Sequence, residues 1–87
     1  MPAEAAQGIP LRLLGRSYCH LCTDLAEALA PHLVGLPLEL VWVDLDEHEA
    51  LEASYGEHIP VLLYGEEEIC RHRLDVGALG AFLSRFR

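Results

Sequence analysis

With 87 residues, 52% of them apolar, the chain is long enough for one domain with a modest core and too apolar to stay disordered. Its formal net charge is −8, and this acidity speaks against a phosphate-backbone partner, so no nucleic acid is expected. No apolar run reaches the roughly 18 residues of a membrane span, and Met1 to Gly8 has neither a basic start nor an apolar signal core; a cytoplasmic protein without a membrane partner is expected.

Residues 1–8 read as a flexible tail and residues 9–87 as the domain. Ile9 to Gly15 is a short, mostly apolar run closed by glycine, the pattern of a buried strand. Ser17 is placed to cap the following helix, whose Leu21, Leu25, Leu29 and Leu33 form an apolar stripe. Pro31 is expected to kink or shorten that helix, and Gly35 and Pro37 to close it. Leu38 to Leu45 is rich in β-favouring residues and reads as a second strand, with Trp42 expected in the core. Asp46 is expected to cap a short acidic helix running to about Tyr55, ended by Gly56. The six carboxylates between Asp44 and Glu57, unaccompanied by arginine, read as a solvated face. Ile59 to Tyr64 reads as a third strand with Pro60 at its start or on an edge, and Gly65-Glu66 turns into a fourth, Glu67 to His72. Asp75 is expected to cap a last helix with Val76, Leu79, Phe82, Leu83 and Phe86 on its apolar face. The order β-α-β-α-β-β-α makes the first two strands parallel and the last two an antiparallel hairpin: an α/β fold with a four-stranded mixed sheet flanked by helices.

Three cysteines, an odd number, argue for reactive or ligand thiols rather than a disulfide scaffold. Cys19-His20-Leu21-Cys22 lies between a predicted strand and a predicted helix. At a helix N-terminus the Cys19 thiolate would be stabilised by free backbone N–H groups and the helix dipole. Cys22, one turn along, could then attack a mixed disulfide formed by Cys19. His20 would stabilise that thiolate as a cation, or stand as a plain exposed histidine. Arg16 would add positive potential or hold a substrate carboxylate, or be a solvated arginine. Tyr18 would line a substrate groove or pack in the loop. Cys70, mid-strand without a vicinal partner, reads as structural. Chemically, Cys19, Cys22, Cys70 and His72 also make a Cys₃His set, so a metal or iron–sulfur carrier is a second use of the same thiols. A non-catalytic interaction module is a third class, because fold alone does not give function.

Across about residues 9 to 86 the chain resembles the glutaredoxins, within the thioredoxin fold. Gly15-Arg16-Ser17-Tyr18-Cys19-His20-Leu21-Cys22 resembles their active-site segment, Ile59-Pro60-Val61 the segment that carries a cis-proline facing the dithiol, and Leu74-Asp75 the pair that closes the glutathione site. Three positions depart from the family pattern. His20-Leu21 stands for Pro-Tyr, His58-Ile59 for Thr-Val, and Arg71-His72 for the Gly-Gly that lets the backbone approach glutathione. The chain is therefore most similar to a bacterial glutaredoxin-like group without that Gly-Gly motif. The resemblance implies a thiol-disulfide oxidoreductase with Cys19 as nucleophile and Cys22 as resolving thiol. It implies Ile59 and Pro60 as a substrate-pairing backbone and Asp75 as a substrate contact. No bound cofactor is expected. The substrate would be a disulfide-containing protein or a glutathione mixed disulfide. Glutathione is the family's co-substrate and reductant; the loss of Gly-Gly argues instead for a reductase or protein donor. A monomer is expected.

Overall fold

Seven residues with a single charge, Ile9–Gly15, form strand β1 in the interior of a four-stranded sheet of order β2-β1-β3-β4. β1 runs parallel to β2 (Leu38–Asp44) and antiparallel to β3 (Val61–Tyr64), which pairs antiparallel with β4 (Glu67–Arg71). Helix α1 (His20–Leu33) joins β1 to β2, and a 3-10 turn (Leu45–Glu47) with helix α2 (Glu49–Tyr55) joins β2 to β3. Helix α3 (Val76–Leu83) follows β4 and tightens into a 3-10 turn at Ser84–Phe86. The element order and strand directions are those expected from the sequence. The computed structural model describes residues 8–86. Residues 1–7 of the expected tail, and Arg87 at the end of the expected domain, lie outside the described residues.

Gly8, the last residue of the expected tail, lies close against the backbone at the start of β2. A Cβ there would come within 2.8 Å of the Leu38 carbonyl carbon. The following Ile9 N–H donates to Pro37 O at 2.8 Å.

Side-chain alternation on the strands divides the core in two. Leu11 and Leu13 of β1 and Leu62 of β3 share one cluster with Leu25 and Leu29 of α1 and Leu79 of α3. Leu14, Val61 and Leu63 point to the other face, where Val43 and Leu45 complete a smaller cluster against Leu51 and Tyr55. Helices therefore cover both faces, which is why β1 and β3 are nearly continuous apolar runs. Among the described residues, no helix is long and apolar enough to cross a membrane.

Several local expectations are corrected. α1 continues two residues past Pro31 and ends at Leu33; Pro31 is exposed in the last turn, where its missing N–H costs one helical bond. Asp44, not Asp46, caps the turn after β2 by accepting the Asp46 N–H, and α2 begins only after His48. Trp42 is 39% exposed because β2 is a sheet edge. Val76 and Leu21 are exposed at the first turns of their helices, while Leu25, Leu29, Leu79, Phe82 and Leu83 are buried. The third strand starts at Val61, after Pro60.

Cys70 is buried in the larger cluster. Burial pushes its thiol above the ordinary value, although a backbone hydrogen bond with Asp75 acts the other way. A folded pKa above the unfolded one means this contribution is complete below the unfolded thiol pKa, about 8.5, and is lost as pH rises through it towards the folded value. Urea midpoints of the wild type should therefore fall above about pH 8.5, and less steeply for Cys70→Ala. Leu62→Ala, at a fully buried central-strand position, should lower stability by about 2–5 kcal/mol at an unchanged urea m-value.

Candidate active site

The strand pairing of β1 ends at Gly15, and the chain turns at once into α1. The turn is closed by the Cys19 N–H donating to Arg16 O at 3.0 Å. Cys19 is the helix N-cap, with extended backbone (φ −91°, ψ 108°), and its Sγ accepts the Cys22 N–H at 3.1 Å. The expected cap, Ser17, lies too early, because the turn uses residues 16–19 before the first helical residue. No acidic residue occupies the first turn of α1, so the positive end of the helix dipole acts on Cys19 without a competing carboxylate.

Cys19 and Cys22 are joined as a disulfide, with their Cα atoms 5.2 Å apart. The two sulfurs are unequal in access: Cys19 is half-buried and Cys22 is fully buried. Gly15 makes room for the buried one. A Cβ on Gly15 would stand 2.7 Å from Cys22 Sγ and 3.5 Å from the Trp42 ring.

The Arg16 guanidinium does not face open solvent; its side chain is only 14% exposed. Nε donates to Asp46 Oδ1 at 3.1 Å, Nη1 to Gly56 O at 3.3 Å, and Nη2 to Glu52 Oε1. Burial alone would lower its pKa, but the Asp46 hydrogen bond and the Glu52 charge leave it raised. Tyr18 is exposed and borders a shallow cleft of about 560 Å³ with Arg16, Leu45, Asp46 and Glu49. His20 is exposed, and its Nε2 lies 3.2 Å from Asp24 Oδ2 one turn along the helix.

The Leu14↔Val61 register puts Pro60 at the same end of the sheet as Gly15 and the dithiol. The Ile59–Pro60 peptide bond is cis. Pro60 is buried, and its carbonyl accepts the His72 N–H at 2.7 Å. His72 has a positive φ of 74°, so the left-handed backbone that a glycine would provide is here adopted by a histidine. Its ring stacks with that of His58, centroids 6.1 Å apart. Asp75 Oδ1 accepts the Ala78 N–H at 3.0 Å and so caps α3. Leu21, Leu25, Ala28, His72 and Leu74 border a groove of about 250 Å³ between α1 and the segment after β4.

The Cys₃His set is not assembled. Among the described residues, no three or more His, Cys, Asp or Glu side chains are grouped to hold a metal ion, and β4, which carries Cys70, is an outer strand of the sheet. Three features escaped the reading of the sequence: the close approach at Gly15, the Trp42 ring beside it, and the stacking of His58 on His72. Gly15 could have been read from its place between strand and dithiol; the other two depend on contacts between distant segments.

A mixed four-stranded sheet flanked by helices, with a Cys19–Cys22 disulfide at the N-terminus of the first helix, defines a thioredoxin-fold protein. More narrowly, the chain belongs to the glutaredoxin-like domain family (DUF836), whose model matches residues 10–84. It is similar to protein Ne2328 from Nitrosomonas europaea, solved in solution, at 31% identity and a TM-score of 0.74, covering 84% of this chain and 88% of that one. It is also similar to protein XcR50 from X. campestris, at 34% identity and a TM-score of 0.68, covering 88% and 99%. A thioredoxin variant from Halobacterium salinarum shares the fold at 20% identity and a TM-score of 0.59, covering 95% and 78%. No curated protein matches the chain.

Gly15→Ala should lower the stability of the oxidised protein by about 1–3 kcal/mol in urea unfolding, because the new methyl group meets the Cys22 sulfur in an already filled site.

Proposed function

We propose that the chain is a thiol-disulfide oxidoreductase. The observation that carries this reading is the Cys19–Cys22 pair itself: one half-exposed sulfur at a helix N-cap and one buried sulfur a turn behind it, at disulfide distance. In the reduced protein, the Cys22 N–H and the helix dipole favour the Cys19 thiolate over the thiol. That thiolate attacks one sulfur of a substrate disulfide, forms a mixed disulfide and expels the other sulfur as a thiolate, which takes a proton from water. Cys22 gives up its proton and attacks Cys19 Sγ. The second substrate sulfur leaves, and the Cys19–Cys22 disulfide remains. Two electrons pass from the dithiol to the substrate, and an external thiol donor returns them.

Ile59 offers its backbone to an extended substrate beside Pro60. Tyr18, His20 and Asp75 line the approaches in this reading. Asp75 acts through the cap of α3, and His20, paired with Asp24, contributes weakly. The donor is a protein dithiol or a reductase rather than glutathione, because His58 and His72, whose rings stack on one another, stand where the wider family has smaller residues. The substrate is a disulfide-bonded protein, and the protein acts as a cytoplasmic monomer.

Reduction of a disulfide-bonded peptide by the dithiol form tests the reading. Cys19→Ser should abolish it, Cys22→Ser should accumulate a mixed disulfide at Cys19 visible by mass, and glutathione should not sustain turnover. Alkylation of Cys19 should show a midpoint well below the free-thiol value of about 8.5. Full activity in Cys19→Ser would overturn the proposal.

A further inference from the structure

We infer that Arg16 is a positioning residue for disulfide exchange: it ties the turn that presents Cys19 to the segment that presents Ile59, so that an extended substrate can engage both at once. The inference rests on the oxidoreductase reading above and assigns Arg16 a role other than the binding or thiolate-stabilising one suggested by its place before the dithiol.

Both ends of the residue take part. Its carbonyl accepts the Cys19 N–H and closes the turn before α1. Its guanidinium reaches three points across the molecule: Asp46 in the 3-10 turn, Glu52 in α2, and the carbonyl of Gly56, the residue that ends α2. From Gly56 the chain makes one further turn, closed by the His58 N–H donating to Tyr55 O at 2.8 Å, and arrives at Ile59. One side chain therefore bridges the two segments that a substrate would touch.

The chemistry favours a tie over a source of charge. Two carboxylates, Asp46 and Glu52, face a single guanidinium, so the cluster as a whole carries a net negative charge and is a poor source of positive potential for the Cys19 thiolate. The planar fork of arginine satisfies three separated acceptors, which a lysine ammonium on a flexible stem does not reproduce. The side chain is also mostly buried, so its partners hold it in one arrangement.

The two roles predict different outcomes in Arg16→Lys, Arg16→Met and Glu52→Gln, each measured two ways. Reduction of a disulfide-bonded peptide needs both Cys19 and the Ile59 segment. Alkylation by iodoacetamide needs only the thiolate. A positioning role predicts that all three variants lose about tenfold in kcat/KM on the peptide, mostly through KM, while the pH midpoint of alkylation stays at the wild-type value. A charge role predicts wild-type activity in Arg16→Lys, a raised midpoint in Arg16→Met, and a lowered midpoint with undiminished activity in Glu52→Gln; any of these would overturn the inference. Amide hydrogen exchange supplies a readout that needs no activity. Arg16→Lys should accelerate exchange at the Cys19 and His58 amides together while leaving the β1 amides protected; unchanged protection at either amide would overturn the tie. Should the wild type fail to reduce the peptide at all, the oxidoreductase reading falls, and the exchange experiment still decides whether Arg16 couples the two segments.

Discussion

The site depends on the absence of a side chain at Gly15. β1 is pressed between β2 and β3, and its last residue lies where Cys22 Sγ and the Trp42 ring converge. Any side chain there would displace the buried sulfur. Because Gly15 yields the space, Cys22 can be sealed off while Cys19, at the N-cap, keeps partial access. The asymmetry of the two sulfurs, on which the proposed attack and resolution depend, is thus set by packing at the end of a strand. The same strand fixes the second component. Its antiparallel register with β3 brings Pro60 to the dithiol end of the sheet.

The acidic segment between Asp44 and Glu57 acquires a meaning from this arrangement. Its composition suggests a solvated face, and Glu47, Glu49 and Glu57 are indeed exposed. Asp46 and Glu52, however, are the counter-ions of the mostly buried Arg16, and the Asp44 side chain caps the turn that holds Asp46. Exposed ion pairs such as Arg85–Glu67 contribute only about 0–1 kcal/mol. The Arg16 cluster differs less in energy than in consequence, since it joins segments 30 to 40 residues apart in sequence. A charge run that would be dispensable on a lone helix is here part of the scaffold of the site.

The order of elements along the chain, the parallel first pair, the antiparallel last pair and the dithiol at the strand–helix junction were legible in the sequence because each follows from local pattern: apolar runs for β1 and β3, a leucine stripe for α1, Gly65 for the hairpin. What escaped the sequence depends on tertiary contact. Ser17 is as good a cap residue as any, but the turn closed by Cys19 N–H on Arg16 O moves the helix start beyond it. Trp42 has the apolarity of a core residue, yet the sheet order places its strand at an edge. Arg16 could be read as a surface cation or a ligand for an acid, because nothing local announces that Asp46, Glu52 and Gly56 converge on it.

His72 is the sharpest case of context overriding a residue's own preference. A non-glycine residue in the left-handed region costs of order 1–3 kcal/mol unless its surroundings fix it, and histidine bears the cost better than most. Here the backbone N–H is spent on Pro60 O and the ring lies on His58, so the two contacts that define the conformation also anchor the segment after β4 to the segment before β3. A glycine would supply the same backbone without the ring. The substitution therefore keeps the path of the chain and changes its surface, which carries two stacked imidazoles where the family pattern has bare main chain. Under the proposed function, selectivity at this site would be a matter of what can lie against those rings, favouring an extended polypeptide, which can pair with the strand end, over a small ligand that needs the main chain exposed.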